Sequence, residues 1–283
     1  MDDHQFDRLA RSLVTSRSRR RAAGMIGALA ALPLLAPRPG AARKKHRKGK
    51  KGKGKKPPTT TLSPTTTPRP CTLRPADNLQ AAIDAAASGS TLTLCAGTWN
   101  IANNLRIEKN LTLFGAGIGQ TILDGGKVTR VLLITPNSTV FLQDLTITRG
   151  NGDDSFGGGI LTNGDLTLQR VVVSDSTSDF GGGIYVGAAK LLLMAGSQVT
   201  GNLVRQNNNP AGGGLGGGIF NRDGTVRLMA GSSVTGNKAT AAGGGIGTST
   251  ASAVTLDAGS TVIGNTGRND APDNCAPDIG ACT

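Results

Sequence analysis

From residue 157 onward, short apolar runs return between the same small residues. In "KLLLMAGSQVTGN" (Lys190–Asn202) and "TVRLMAGSSVTGN" (Thr225–Asn237), Leu191 and Leu193, and then Val226 and Leu228, alternate with outward positions. That two-residue period belongs to half-buried strands, and no run in this region sustains the 3.6-residue period of a helix. Triple glycines begin at Gly157, Gly181, Gly216 and Gly243, in steps of 24, 35 and 27 residues. A Val-x-Gly-Asn motif closes three of the units, at Asn202, Asn237 and Asn265. Within a unit the spacing is tight: Ile184 to Val199 and Ile219 to Val234 are each 15 residues, and Ile246 to Val262 is 16. Length variation therefore falls between the asparagine and the next triple glycine, where "LVRQNNNPAGGGL" is the longest insertion.

A unit this short cannot bury its own apolar face and must stack on its neighbours. Short strands, turns at fixed offsets and insertions on one side predict a solenoid whose coils repeat at about 4.8 Å, the strand-to-strand spacing. Ile160, Ile184, Ile219 and Ile246 should form one internal column, and Val199, Val234 and Val262 another. Asn202, Asn237 and Asn265 then fall at a corner where stacked amides can hydrogen-bond along the axis. Glycine suits corners that need a positive φ or a close approach.

Ahead of the repeats, "NLQAAIDAAASG" (Asn78–Gly89) is the one short helical pattern, with Leu79, Ala82, Ile83 and Ala86 on one face. Asn78 serves as its N-cap and Gly89 ends it, so it is the expected cover for the open end of the solenoid. "STLTLCAGTWN", "NLTLFGAG" and "TVFLQDLTITRG" follow as strands of early coils, with Trp99 packed under the helix.

"LQAAIDAAASGSTLTLCAGTW", "LTLFGAG" and "TILDGG", in this order, resemble the opening of the pectin-lyase-like, right-handed parallel β-helix family. "LTITRGNGDDSFGGGI" and "VTGNKATAAGGGI" resemble repeats of bacterial polymorphic outer membrane proteins, and "CTLRPADNLQAAIDAA" is similar to a motif of secreted β-helix proteins. The resemblance implies an all-β, single-domain right-handed parallel β-helix (solenoid) with a short N-terminal capping helix. It does not fix an activity, because the family includes lyases, hydrolases, adhesin-like proteins and members without assigned activity.

Charge divides the chain. The formal net charge of +13 resolves into +15 for residues 1–70 and −2 for residues 71–283, so the body gives no electrostatic support for nucleic-acid binding. An arginine cluster, Arg19-Arg20-Arg21, precedes an apolar run from Ala22 to Ala36, too short to span a bilayer comfortably and of signal-peptide length. Residues 1–42 therefore read as an export signal, twin-arginine-like or of the general secretory type. Residues 43–70, "RKKHRKGKKGKGKKPPTTTLSPTTTPRP", read as a disordered basic tether and Pro/Thr spacer. That tether either contacts anionic cell-wall polymer or lipid head groups, or serves as a solubilising linker. Residues 71–283 form the β-helix domain. Its four cysteines, Cys71, Cys95, Cys275 and Cys282, contain no C-x-x-C pair and suggest disulfides, of which Cys71–Cys95 and Cys275–Cys282 are the expected pairs among three connectivities.

Both histidines, His4 and His46, lie outside the body, which removes His-based catalysis and His-ligated metals from it. No acidic column follows the triple glycines. Asp153, Asp154 and Asp179, in equivalent turns, either make one carboxylate pair for a lyase or hydrolase, with Arg149 or Arg205 as basic partner, or are solvated turn residues. Asp124 and Asp144 read as turn residues. Tyr185 and Phe220, one position past the inward isoleucines, read as outward aromatics that stack on sugar rings with Arg222 nearby, or as isolated surface residues. "FGAGIG" lacks the helix that a dinucleotide site needs. No metal, cofactor or specific nucleic-acid partner is implied, and a monomer is expected. The reading is a secreted or cell-surface, non-catalytic, adhesin-like β-helix that binds polysaccharide or a cell-envelope component. A carbohydrate-active enzyme using the turn aspartates and a purely structural envelope protein are the alternatives.

Overall fold

Every strand pair in the described residues is parallel, and the registers are those the repeat predicts. The computed structural model describes residues 70–152, 155–205, 214–249 and 252–275; the export-signal and tether assignments lie outside them. The chain winds into a parallel β-solenoid with three faces. Face one is a six-stranded sheet of Leu105–Ile107, Leu132–Ile134, Ile160–Thr162, Ile184–Val186, Ile219–Asn221 and Ile246–Thr248. Faces two and three merge into one 12-stranded sheet, because Thr139–Thr148 and Asp165–Ser174 each run unbroken around the corner between them.

Stacking in register puts like on like. Leu105, Leu132, Ile160, Ile184, Ile219 and Ile246 form the inward column of face one. On face three, Trp99, Leu123, Ile147, Val173, Val199, Val234 and Val262 form another. These columns meet in one continuous apolar core along the axis. Each buried Leu, Ile or Val contributes on the order of 1.5–3 kcal/mol of transfer free energy, which a single coil could not collect alone.

The asparagine corner is a ladder. Asn202 Nδ2 donates to Asn237 Oδ1 at 2.9 Å, and Asn237 Nδ2 donates to Asn265 Oδ1 at 2.9 Å. Asn274 receives the last rung at 3.2 Å, and Ser176 N–H donates to Asn202 Oδ1 at the other end. Each rung also ties a backbone carbonyl, Asn202 to Val173 O, Asn237 to Val199 O and Asn265 to Val234 O. Buried amides in this arrangement are satisfied on both sides, so the polar column costs little to enclose.

The triple glycine answers three separate constraints, seen at Gly216-Gly217-Gly218. Gly216 has φ +68°, a left-handed value that disfavours a side chain. A Cβ on Gly217 would stand 2.4 Å from the carbonyl oxygen of Gly244 in the next coil, and one on Gly218 would stand 2.8 Å from Asn237 Nδ2. The third glycine is therefore the space in which the asparagine ladder runs.

The helix, Leu79–Ala85, closes the N-terminal end with Leu79 and Ile83 buried. Asn78 caps it as expected, accepting from Ala81 N–H at 3.0 Å. Its C-terminus comes earlier than Gly89: Ala86 is already extended, and Lys109 Nζ donates to the carbonyls of Asp84 and Ala86 at 2.9 and 3.0 Å. The Cys71–Cys95 disulfide forms as expected. Cys275 is also disulfide-bonded, while Cys282 lies outside the described residues.

Asn237→Ala should lower unfolding free energy by about 3 kcal/mol, because it removes the buried acceptor of Asn202's N–H and of one Nδ2–H, and the amide that donates to Val199 O and Asn265 Oδ1. Denaturant midpoints compared with those of Gln198→Ala, an exposed strand change, measure it; a difference below about 0.5 kcal/mol would show that the ladder is not a stabilising unit.

Candidate functional site

The insertions between each asparagine corner and the next triple glycine form stacked arms that leave the coil and return. On the way out, Asn151 pairs with Thr177, Thr177 with Leu203, Leu203 with Lys238, and Lys238 with Thr266. On the way back, Phe156 pairs with Phe180, Phe180 with Leu215, and Leu215 with Ala242. The returning limbs lie over the outer side of face one. Beneath them Leu133, Leu161, Tyr185 and Phe220, together with Phe156, make a second apolar cluster outside the coil, flanked by Phe180 and Leu215.

This placement corrects the reading of Tyr185 and Phe220 as outward sugar-stacking aromatics. They do point away from the axis, but they are only 1% and 6% exposed. Tyr185 meets Phe156 at a 4.6 Å ring-centroid distance, and Phe220 meets Phe180 at 5.3 Å and Tyr185 at 5.7 Å. Ring faces used in this way are not available to a ligand. The period-2 pattern identifies the outward side of a strand; it cannot foresee that an arm from the same chain covers it. Arg222 follows at the strand end, mostly covered and 3.3 Å from Asp223. The half-buried outward aromatics are instead Phe114 and Phe141 on face two, with centroids 6.1 Å apart.

Of the three aspartates proposed as an acidic site, Asp153 and Asp154 lie outside the described residues. Asp179 is 2% exposed within the arm layer, its N–H donating to Ser155 O at 3.2 Å and its carbonyl accepting from Gly214 N–H at 3.0 Å. That burial corrects its reading as a solvated turn residue. Arg149 and Arg205, named as candidate bases, are both exposed, and Arg149 is already engaged.

Arg149 forms a two-armed ion pair with Asp124 one coil earlier, with Nε to Oδ1 at 2.8 Å and a second bond from Nη2 to Oδ2. Arg170 holds Asp144 in the same manner, at 2.6 and 2.7 Å, and Arg227 holds Asp257 at 3.1 and 3.0 Å. Asp144, Arg149 and Arg170 all sit at corners with left-handed φ, which turns their side chains along the axis instead of outward. Burial pushes the Asp124 carboxyl up, but hydrogen bonds from Arg149 and Gly126 N–H and the guanidinium charge outweigh it, leaving the carboxyl below its ordinary 3.8. Asp144 is lowered on the same balance, against burial, by Arg170 and Gln143. These carboxylates join coils. Among the described residues, no three His, Cys, Asp or Glu side chains come together as a metal-binding group.

A groove of about 330 Å³ opens at the N-terminal end, between the start of the helix and the segment 99–105. Its apolar floor is Leu79, Trp99, Ile101 and Leu105; its rim carries Asp77, Asn78, Gln80, Asn100, Asn103 and Asn104. Asn78 and Gln80 are committed internally, Asn78 to the helix cap and Gln80 to both backbone groups of Arg106 at 2.8 and 3.0 Å. The side-chain amides of Asn100, Asn103 and Asn104 make no hydrogen bond to any described residue. Sequence reasoning passed over them because asparagines in a short irregular segment read as turn formers. The signal that was present is "WNIANN", three amides within five residues of the chain's single tryptophan.

Comparison with protein-family models, with curated proteins and with solved structures gives no match to this chain.

Two outcomes follow from this geometry. Tyr185→Ala should cost about 3 kcal/mol of stability, as emptying a closed aromatic cluster does, measurable as a lowered denaturant midpoint. Because Asp124 titrates lower folded than unfolded, its contribution is complete above pH 3.8 and is lost as pH falls through the depressed folded value. The melting-temperature gap between wild type and Asp124→Asn should therefore be widest near neutrality and narrow steadily below pH 3.8; a gap independent of pH would contradict the ion-pair account.

Proposed function

We propose that the chain is an exported, non-catalytic β-helix that acts outside the cell or at its surface, binding polysaccharide or another cell-envelope component. Within that reading it is a pectin-lyase-like, right-handed β-helix whose repeats are related to those of polymorphic outer membrane proteins. The leader carries it out, and the basic segment 43–70 rests on anionic wall polymer or lipid head groups.

The observation that carries the proposal is the fate of the charged side chains. A general acid, base or nucleophile must face a substrate and be free to exchange a proton. Asp124, Asp144 and Asp257 are each locked two-armed to an arginine of a neighbouring coil. Asn100, Asn103 and Asn104, neutral amides without a partner among the described residues, line one groove, which suits recognition and not bond cleavage. The extended, rigid stack of coils is also a fitting platform for a long polymer.

Incubating the full chain with neutral and charged polysaccharides tests this, with polymer length and bound fraction followed in the same tubes. Binding with no change in length is expected. Shortening of any polymer would overturn the non-catalytic reading and make Asp153, Asp154 and Asp179 the residues to substitute.

A further inference from the structure

We infer that the N-terminal groove is a subsite for a single neutral hexopyranose ring, presented by a glycan end or branch, and that it excludes uronates. The inference rests on the binding reading above and names the site and ligand class within it.

The first argument is chemical. The buried amides have structural partners in the asparagine ladder, and Asn78 has one at the helix cap. Asn221 likewise bonds to Gly224 and Ala253. Asn100, Asn103 and Asn104, like Asn137 and Gln198 elsewhere, bond to no described residue through their amides; what sets them apart is that all three line one groove. Three carboxamides present both donors and acceptors within a small area, the pairing that vicinal hydroxyls require, since each hydroxyl both donates and accepts. Below them, Leu79, Ile101, Leu105 and Trp99 reach the groove only by their edges, each 2–7% exposed, and give a small apolar contact for one edge of a sugar ring and no open stacking face.

The second argument is size. A volume of about 330 Å³ lies at the lower end of the ~300–1,000 Å³ typical of small-molecule sites, which suits one ring and not a chain.

Charge then selects among sugars. Among the described residues the only ionisable one lining the groove is Asp77, one of whose oxygens accepts from Arg74 N–H at 2.7 Å. Among the described residues no lysine or arginine lines it, so a uronate carboxylate would meet like charge there with no cation from the groove itself. Neutral hexoses carry no such penalty.

The walls are held before any ligand arrives. The Cys71–Cys95 disulfide, the Asn78 cap and the Gln80 clamp on Arg106 fix the helix against the first coils. A preformed site loses little conformational entropy on binding, which matters for a ligand offering so few contacts.

Trp99 is the only tryptophan in the chain and lies in the groove, so its fluorescence reports this site alone. Full-length protein is titrated with methyl glucoside, methyl galactoside, methyl mannoside, N-acetylglucosamine and galacturonate. At least one neutral sugar should change Trp99 emission saturably, in the roughly millimolar range expected of single-ring sites. Galacturonate should bind at least about tenfold more weakly, and Asn103→Ala/Asn104→Ala should weaken the neutral sugar by at least about tenfold. Neither asparagine's amide bonds to a described residue, so the variant should melt with wild type, which the same sample checks. A saturable response that survives the double variant, a preference for galacturonate, or no response up to about 100 mM would each overturn the subsite. Polysaccharide binding retained by wild type and variant alike, without a sugar response, would sink the groove and leave the binding reading standing. Loss of both would sink the two together.

Discussion

Parallel, in-register stacking is the constraint on which everything else in this molecule depends. Each residue has as its nearest non-local neighbour the residue at the same position one coil away, so any side chain must tolerate its counterparts above and below. Aliphatic positions satisfy that condition by forming columns such as Ile160, Ile184, Ile219 and Ile246. A buried polar residue satisfies it only if its group both donates and accepts along the axis. Asparagine does so, which is why Asn202, Asn237 and Asn265 can occupy a core corner that aspartate, lacking a donor, could not. The ladder in turn demands a residue without a side chain beside it, and Gly183, Gly218 and Gly245, the third glycines of the last three triplets, supply that space.

The same constraint governs charge. Two like charges at one position in adjacent coils would stand about 4.8 Å apart, so repetition forbids an ionised column. The corners solve this by alternation, acid then base: Asp124 with Arg149, Asp144 with Arg170. Outward polar positions solve it with hydroxyls, as where Thr148 meets Ser174 at 3.1 Å and Thr200 meets Thr235 at 3.4 Å. A coil stack built this way has few reactive groups to spare. The unpartnered amides Asn100, Asn103 and Asn104 stand where the repeat breaks, at the N-terminal end, where helix and first coils meet at an irregular boundary free of the copying rule.

The repeat made much of this legible. The columns, the asparagine corner, the capping helix and the Cys71–Cys95 bridge all follow from spacing and residue type, because each is a local or next-coil relation that the period encodes. The terminal rung at Asn274 was not legible: it lies outside any Val-x-Gly-Asn motif and reaches Asn265 through the irregular C-terminal segment. Nor were the partners of Asp124 and Asp144, since Arg149 and Arg170 lie in coils of slightly different length and only the folded register aligns them.

Tyr185, Phe220 and the groove mark the boundary most clearly. The sequence by itself determined the coil, because a repeated pattern of apolar, glycine and asparagine positions has one economical way to bury its apolar face, by stacking. It also determined that Tyr185 and Phe220 leave the coil on its outer side. Only the tertiary structure decided what those outward residues meet, since the arms covering them are insertions of varying length with no pattern of their own. It decided likewise that Asn100, Asn103 and Asn104 border one cavity with Leu79 and Asp77, residues about twenty or more positions earlier, because a cavity is a property of surfaces brought together and not of any one segment.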